Sequence, residues 1–175
     1  MSKGPQFERD TCRQLSLWWT NNRRDDIFWR THGSGARATA RQKAGKRTRG
    51  QYGDICATDP SGTKLVDLFT FSLKRGYSRH TLQDLVDAAE GVVNHWENWI
   101  REAIDVHMQA GSMSWMVIAK RDRREPIIVM PHEIMRTFLG GAPIVTVWYD
   151  DLPKLAVHKL DYLLSIQPAC LKNIK

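Results

Sequence analysis

The sequence predicts an α/β fold, a mixed central β-sheet flanked by helices, in one domain spanning residues 1–175. Three observations carry the prediction. Helical and extended periodicities alternate along the chain. The composition, 42% apolar and 26% charged, is that of an ordinary globular protein. A chain of 175 residues has enough apolar material for one sizeable core.

The elements follow in order. Residues 7–20 are read as a helix, because Glu8, Cys12, Leu15 and Trp19 share a stripe that Phe7 and Trp18 widen. Ile27–Arg30 is a short strand. Residues 31–53, rich in Gly, Thr, Arg and Lys, read as a long loop, a length usually found in functional or disordered segments. Tyr52–Thr58 and Leu65–Lys74 read as two strands joined at the Asp59-Pro60-Ser61-Gly62 turn, a β-hairpin. A long helix is predicted from Thr81 to about His107, stopped by Gly111, with Asp84 near its start as a cap. Its stripe is Leu82, Leu85, Val86, Ala89, Val92, Val93, Trp96 and Ile100. Ser114–Ala119, Pro126–Met130 and Pro143–Tyr149 read as strands, with a short helix opening at Pro131 and ending at Gly140. Leu155–Ile166 reads as a terminal helix, within a C-terminal strand-helix extension of about residues 140–175.

Charge narrows the function. Lys and Arg outnumber Asp and Glu by 26 to 19, a net charge of +7. Between Ile27 and Gly53 there is no acid, while Arg30, Arg37, Arg41, Lys43, Lys46, Arg47 and Arg49 supply seven positive charges. A one-signed patch of this kind suits a polyphosphate partner, most simply nucleic acid. A solubilising loop is the alternative, but such surfaces usually mix both signs. Lys120, Arg121, Arg123 and Arg124 form a second basic cluster in a turn. The three cysteines are far apart and form no CxxC, which excludes a disulfide framework or zinc knuckle and suits a reducing compartment. No apolar run is long enough for a membrane span and the first twenty residues lack a signal-peptide pattern, so a cytoplasmic location is expected. There is no phosphate-binding P-loop, dinucleotide fingerprint, serine elbow or paired-histidine zinc spacing.

Four features bear on chemistry. Glu8 lies on the inward stripe of the first helix, where a carboxylate is costly unless paired or bound to a metal. Asp54 follows Gly53 at a strand start. Ser72 and Lys74, two apart, share a strand face, and Lys74 ends an otherwise apolar strand. Carboxylates on neighbouring elements suit Mg²⁺ or Mn²⁺, which prefer hard oxygen donors. Such an ion activates water and offsets charge developing on a phosphodiester, and an adjacent lysine orients the attacking water. Each residue alone has an ordinary reading: an exposed helix carboxylate, a turn cap, a solvated strand end.

The order of a helix Glu, then RTHGSGAR, then GDI, then LKRG resembles the PD-(D/E)xK nuclease superfamily. Within it, the likeness is to archaeal-type Holliday junction resolvases and related phage-encoded endonucleases, over about residues 5–90. The resemblance implies a restriction-endonuclease-like core and Mg²⁺-dependent hydrolysis of DNA. It implies that Asp54 is the main metal ligand, Glu8 assists, Lys74 is the catalytic lysine and Ser34 belongs to the loop near the scissile phosphate. Gly53 stands where many members have proline. The basic residues of the loop, with Arg75, would hold the DNA backbone. A resolvase cuts twice, so a two-fold homodimer would follow, its interface on the Trp-bearing long helix or the C-terminal segment.

One departure matters. The superfamily's second acid, two residues before the lysine, is here Ser72, a neutral hydroxyl. Three explanations stand side by side. The acid has migrated to the next helix, where Asp84, Asp87 and Glu90 are available, Asp87 and Glu90 being better spaced. Alternatively the protein is a nuclease-fold module that binds nucleic acid without cutting. In the third, Ser72 disables an otherwise intact site.

Overall fold

The computed structural model describes residues 3–31, 52–77, 79–87, 94–149 and 151–174. Ser34, His32 and six of the loop cations (Arg37, Arg41, Lys43, Lys46, Arg47 and Arg49) lie outside these residues, as do Ala89, Glu90, Val92 and Val93 of the predicted long helix.

Helix α1 (Lys3–Trp19) buries the predicted stripe: Phe7, Cys12, Leu15, Trp18 and Trp19 are all core residues. Two tryptophans bolt it in place. The Trp18 indole N–H donates to the Ile166 carbonyl at 2.7 Å and that of Trp19 to the Ser61 carbonyl at 2.8 Å. Buried Ser16 donates to the Cys12 carbonyl at 2.8 Å and accepts from the Phe28 N–H at 2.9 Å, tying α1 to strand β1 (Phe28–Arg30). The tryptophans of α1 thus belong to the core, where indoles find partners for their N–H groups.

β1 pairs antiparallel with β2 (Ile55–Ala57), Trp29 opposite Cys56. This corrects the expected hairpin. The partner of β2 is β1, and the stretch read as a single strand from Leu65 is a helix followed by a strand: α2 (Thr63–Leu68) then β3 (Phe69–Arg75). A largely apolar run satisfies either period, and here Leu65, Val66 and Leu68 are buried from a helix. The Asp59 turn is a single 3₁₀ turn over Pro60–Gly62, capped by the Asp59 carboxylate on Ser61 N–H.

The main sheet has five strands in the order β3-β4-β5-β7-β6, with β4 (Ser114–Lys120), β5 (Ile127–Pro131), β6 (Val145–Val147) and β7 (Leu155–Lys159). β3 and β4 run parallel, Phe71 opposite Met116 and Lys74 opposite Ala119; the other pairs are antiparallel. The sheet is mixed, as expected. β7 corrects the reading of Leu155–Ile166 as one helix: its first half is a strand between β5 and β6, and only α6 (Leu160–Ser165) is helical. A last helix, α7 (Pro168–Lys172), returns to α1, where Lys172 donates to the Trp19 carbonyl at 2.9 Å.

The parallel pair requires a crossover. It runs through α3 (Asp84–Asp87) and α4 (His95–Ala110), which lies across β3 and β4. The predicted continuous helix is corrected here: buried Asn94 has extended backbone and caps α4 through its side chain on the Glu97 N–H. Gly111, left-handed at φ +66°, ends α4 as expected. Between β5 and β6, Pro131 leads into α5 (His132–Ile134), which continues as a π-type turn to Leu139 before left-handed Gly140.

Two apolar layers form, one on each face of the sheet. Along β4, Met116 and Ile118 join the α1 layer, while Trp115, Val117 and Ala119 join the α4 layer with Trp96, Trp99, Ile100 and Ala103. β3 alternates differently. Phe69, Phe71 and Leu73 enter the α1 layer, and the alternate positions are polar: Thr70, Ser72 and Lys74. An edge strand with one polar face under a helix leaves room for a site.

Candidate active site

The edge of β3 positions the first carboxylate. Asp54 N–H donates to the Phe71 carbonyl at 2.8 Å, and its carboxylate accepts from the Leu73 N–H at 2.6 Å. Asp54 therefore occupies the outer edge of β3 with both backbone and side chain, beside Ser72. The close approach depends on Gly53. At φ +76°, a Cβ there would lie 2.5 Å from the Phe71 carbonyl oxygen. Proline, confined to negative φ, does not fit this backbone, which explains the departure from the superfamily's usual residue.

The polar face of β3 forms the floor of a cleft of about 360 Å³, with α1 contributing Gly4 and Glu8 and α4 contributing Glu102, Ala103 and Val106. Asp54, Ser72 and Lys74 all line it. Four of the five residues expected at the catalytic centre are thus brought together: Glu8, Asp54, Ser72 and Lys74. The fifth, Ser34, lies outside the described residues.

Glu102 is the addition. Its carboxylate accepts from Lys74 Nζ at 2.7 Å. It lies on the helix beyond the predicted candidates, three residues after Trp99 and four before Val106. A reading of α4 as a buried stripe with a solvated flank gives it no role, yet Glu102, Ala103 and Val106 form the wall of the cleft. The expected substitutes are elsewhere. Asp84 caps the turn before α3, accepting from Thr81 N–H at 3.1 Å and hydroxyl at 3.0 Å. Asp87 is exposed, accepts from Gln83 at 2.7 Å and does not line the cleft. Glu90 is outside the described residues.

Electrostatics single out Asp54. Burial pushes its carboxyl above the usual carboxylate range; the Leu73 N–H and Lys74 pull it back, and the negative charges of Glu8 and Glu102 add to the rise. Glu8 is held by Arg30 at 3.3 Å, so this cation faces the cleft's carboxylate. Arg75, expected on DNA, has its guanidinium on Asp122 at 2.6 Å and on the Lys120 carbonyl at 3.2 Å, where it braces the β4–β5 turn. Among the described residues no three His, Cys, Asp or Glu side chains converge closely enough to hold a metal ion in this arrangement. Trp96 and Trp99 are buried against the sheet.

Residues 1–154 match the protein family described as "Phage putative PDDEXK endonuclease". The chain belongs to this family. The match reaches well past the residues that carry the resemblance, through α4, β4, β5 and β6, and so takes in Glu102. No curated protein and no solved structure matches the chain. The five-stranded mixed sheet with helices on both faces agrees with the PDDEXK nuclease core. No described helix is long and apolar enough to cross a membrane.

Proposed function

We propose that this PDDEXK family member is a metal-dependent DNA endonuclease in which Glu102 supplies the carboxylate that Ser72 lacks. The observation that carries the reading is the gathering of Asp54, Ser72, Lys74, Glu8 and Glu102 on one cleft at the edge of β3. The donor set fits a hard divalent ion: carboxylates and a hydroxyl, around an Asp54 whose ionisation burial opposes, with the negative charges of Glu8 and Glu102 adding to the effect. Asp54 and Glu102 would hold Mg²⁺ or Mn²⁺, with Glu8 assisting and Ser72 lending a neutral oxygen. The ion would supply an activated water and charge neutralisation at the phosphodiester. Glu102 is mostly exposed, so a change of its side-chain rotamer would release Lys74. The freed lysine ammonium then faces the cleft, where it orients water and contacts the phosphate oxygen. The basic segment containing Arg37, Arg41, Lys43, Lys46, Arg47 and Arg49 clamps the DNA backbone, with Ser34 near the cleaved phosphate. Glu8 in turn positions Arg30.

A branched substrate, a homodimer and a host-cell cytoplasmic setting complete the proposal. Sheet-edge strand β6 supports the dimer, because Ile144, Val145 and Trp148 around it are exposed. The test is cleavage of labelled four-way junction and matched linear duplex with Mg²⁺, Mn²⁺ or EDTA. Metal-dependent cutting, lost in both Asp54→Ala and Glu102→Gln, is the expected result. Cutting lost in Asp54→Ala but retained in Glu102→Gln removes Glu102 from the ligand set. A second reading, DNA binding without cleavage, is favoured by the pairing of both accessory carboxylates with cations. It predicts tight, salt-sensitive binding, no cleavage by the wild type, and cleavage on Ser72→Glu if only that ligand is missing.

A further inference from the structure

Beside the cleft is a recess that the proposed hydrolysis leaves unused. After β3 the chain turns through Gly76 at φ +96° into Tyr77 at φ +48°. A bulky residue with left-handed backbone is uncommon and signals an imposed position. Backbone bonds hold the turn: Gly76 N–H donates to the Lys120 carbonyl at 3.1 Å, and His80 N–H to the Tyr77 carbonyl at 2.9 Å. The Tyr77 ring meets Trp99 edge to face, centroids 4.8 Å apart. His80 and His95, whose own rings lie 3.9 Å apart, flank it at 6.4 and 6.1 Å. Trp99 is only 7% exposed, whereas Tyr77 is 49% exposed. The result is an open aromatic ring on a rigid, buried support.

Its position gives it a substrate. Tyr77 lines the Asp54 cleft, and it also lines the small recess shared by Lys74, Lys120 and Arg121. One ring therefore borders both the proposed catalytic lysine and the second basic cluster of the sequence. Aromatic rings with adjacent cations hold single-stranded nucleic acid by stacking bases and pairing phosphates. We propose that Tyr77 is the stacking platform for the nucleobase next to the scissile phosphate, with Arg121 receiving the neighbouring backbone phosphate. This inference rests on the nuclease reading. A base reaches such a ring only when it has left its own stack, so the subsite favours branched, frayed or single-stranded DNA over intact duplex. Stacking reads no hydrogen-bond pattern, so it imposes little sequence preference.

The experiment uses the full chain carrying Asp54→Ala, which binds without cutting, and oligonucleotides with 2-aminopurine at successive positions. Fluorescence quenching is expected at one position beside the cut site. It persists in Tyr77→Phe and is lost in Tyr77→Leu, with affinity about tenfold weaker. Arg121→Ala is expected to keep the quenching and reduce the salt slope by about one unit. In the otherwise wild-type chain, Tyr77→Leu lowers the ratio of junction to duplex cleavage. Thermal melts establish that each variant is folded. Quenching absent at every position, while the wild-type chain cuts DNA with metal, overturns the platform and leaves the nuclease reading standing. Equal loss in Tyr77→Phe and Tyr77→Leu overturns stacking in favour of the hydroxyl. Neither binding nor cutting by the wild-type chain overturns both.

Discussion

Replacing Gly53 by alanine tests the geometry on which the cleft depends. At φ +76° an L-residue costs about 1–2 kcal/mol relative to glycine. The added Cβ would also lie 2.5 Å from the Phe71 oxygen, 2.9 Å from Thr70 Cγ2 and 3.2 Å from the Phe71 nitrogen. Two of these are backbone atoms of β3, so the contact is relieved only by moving Asp54 off the strand. That motion weakens the 2.8 Å bond from Asp54 N–H to Phe71, about 0.5–1.5 kcal/mol. The expected loss is roughly 2–3 kcal/mol, equivalent to a fall in Tm of about 5–10 °C for a chain of this size. Circular dichroism melts and urea titrations measure it. Gly53→Pro, with φ locked near −65°, should be worse. A Gly53→Ala protein that melts within a degree of the wild type would show that Asp54 is not held against β3 in this way.

Three further outcomes are expected. Ser16→Ala leaves the buried Phe28 N–H without its acceptor and should cost about 1–3 kcal/mol by urea titration; unchanged stability would remove this tie between α1 and β1. Asp54→Asn should raise stability while abolishing cleavage. Because burial raises the Asp54 pKa in the fold, the folded state binds the proton more tightly than the unfolded chain. Stability from this group is full below the unfolded carboxylate pKa and is lost as pH rises through the folded value, so the gap between Asp54→Asn and wild type should open as pH rises. A gap that widens toward acid would reverse the sign. Finally, burial pushes the Cys12 thiol up to about 12, whereas Cys170 is exposed. A thiol reagent at pH 8 should modify Cys170 in the native protein and Cys12 only in denaturant; equal rates would contradict the packing of α1.

The legible parts of the fold were those with one dominant period. The α1 stripe, the β4 and β5 runs and the Gly111 stop follow from local spacing, and tertiary packing only confirmed them. Errors arose where apolar residues are continuous. All of Leu65–Phe71 except Asp67 is buried, so only packing chooses the helix-to-strand change at Leu68. Leu155–Lys159 carries no alternation because β7 is covered on both faces. The break before α4 did have a signal, Asn94 three residues before Glu97, the spacing of a helix cap. At the site, Glu8, Asp54, Ser72 and Lys74 were readable because each sits at a marked point of its element. Glu102 was not, since an exposed helix carboxylate gains meaning only when the crossover brings it over β3.

The parallel pairing of β3 with β4 has a consequence for when the cleft exists during synthesis. Lys74 lies on edge strand β3 with Asp54 bonded to its outer edge, and Glu102 comes from the crossover helix. That helix has its second support only once β4, beginning at Ser114, has emerged and paired. Contacts so distant along the chain form late, after the loop between them has closed. A nascent chain that has passed the ribosome only as far as β3 therefore carries the motif without the cleft. The same topology that builds the cleft thus delays it, and a chain ending before β4 lacks the strand against which α4 packs.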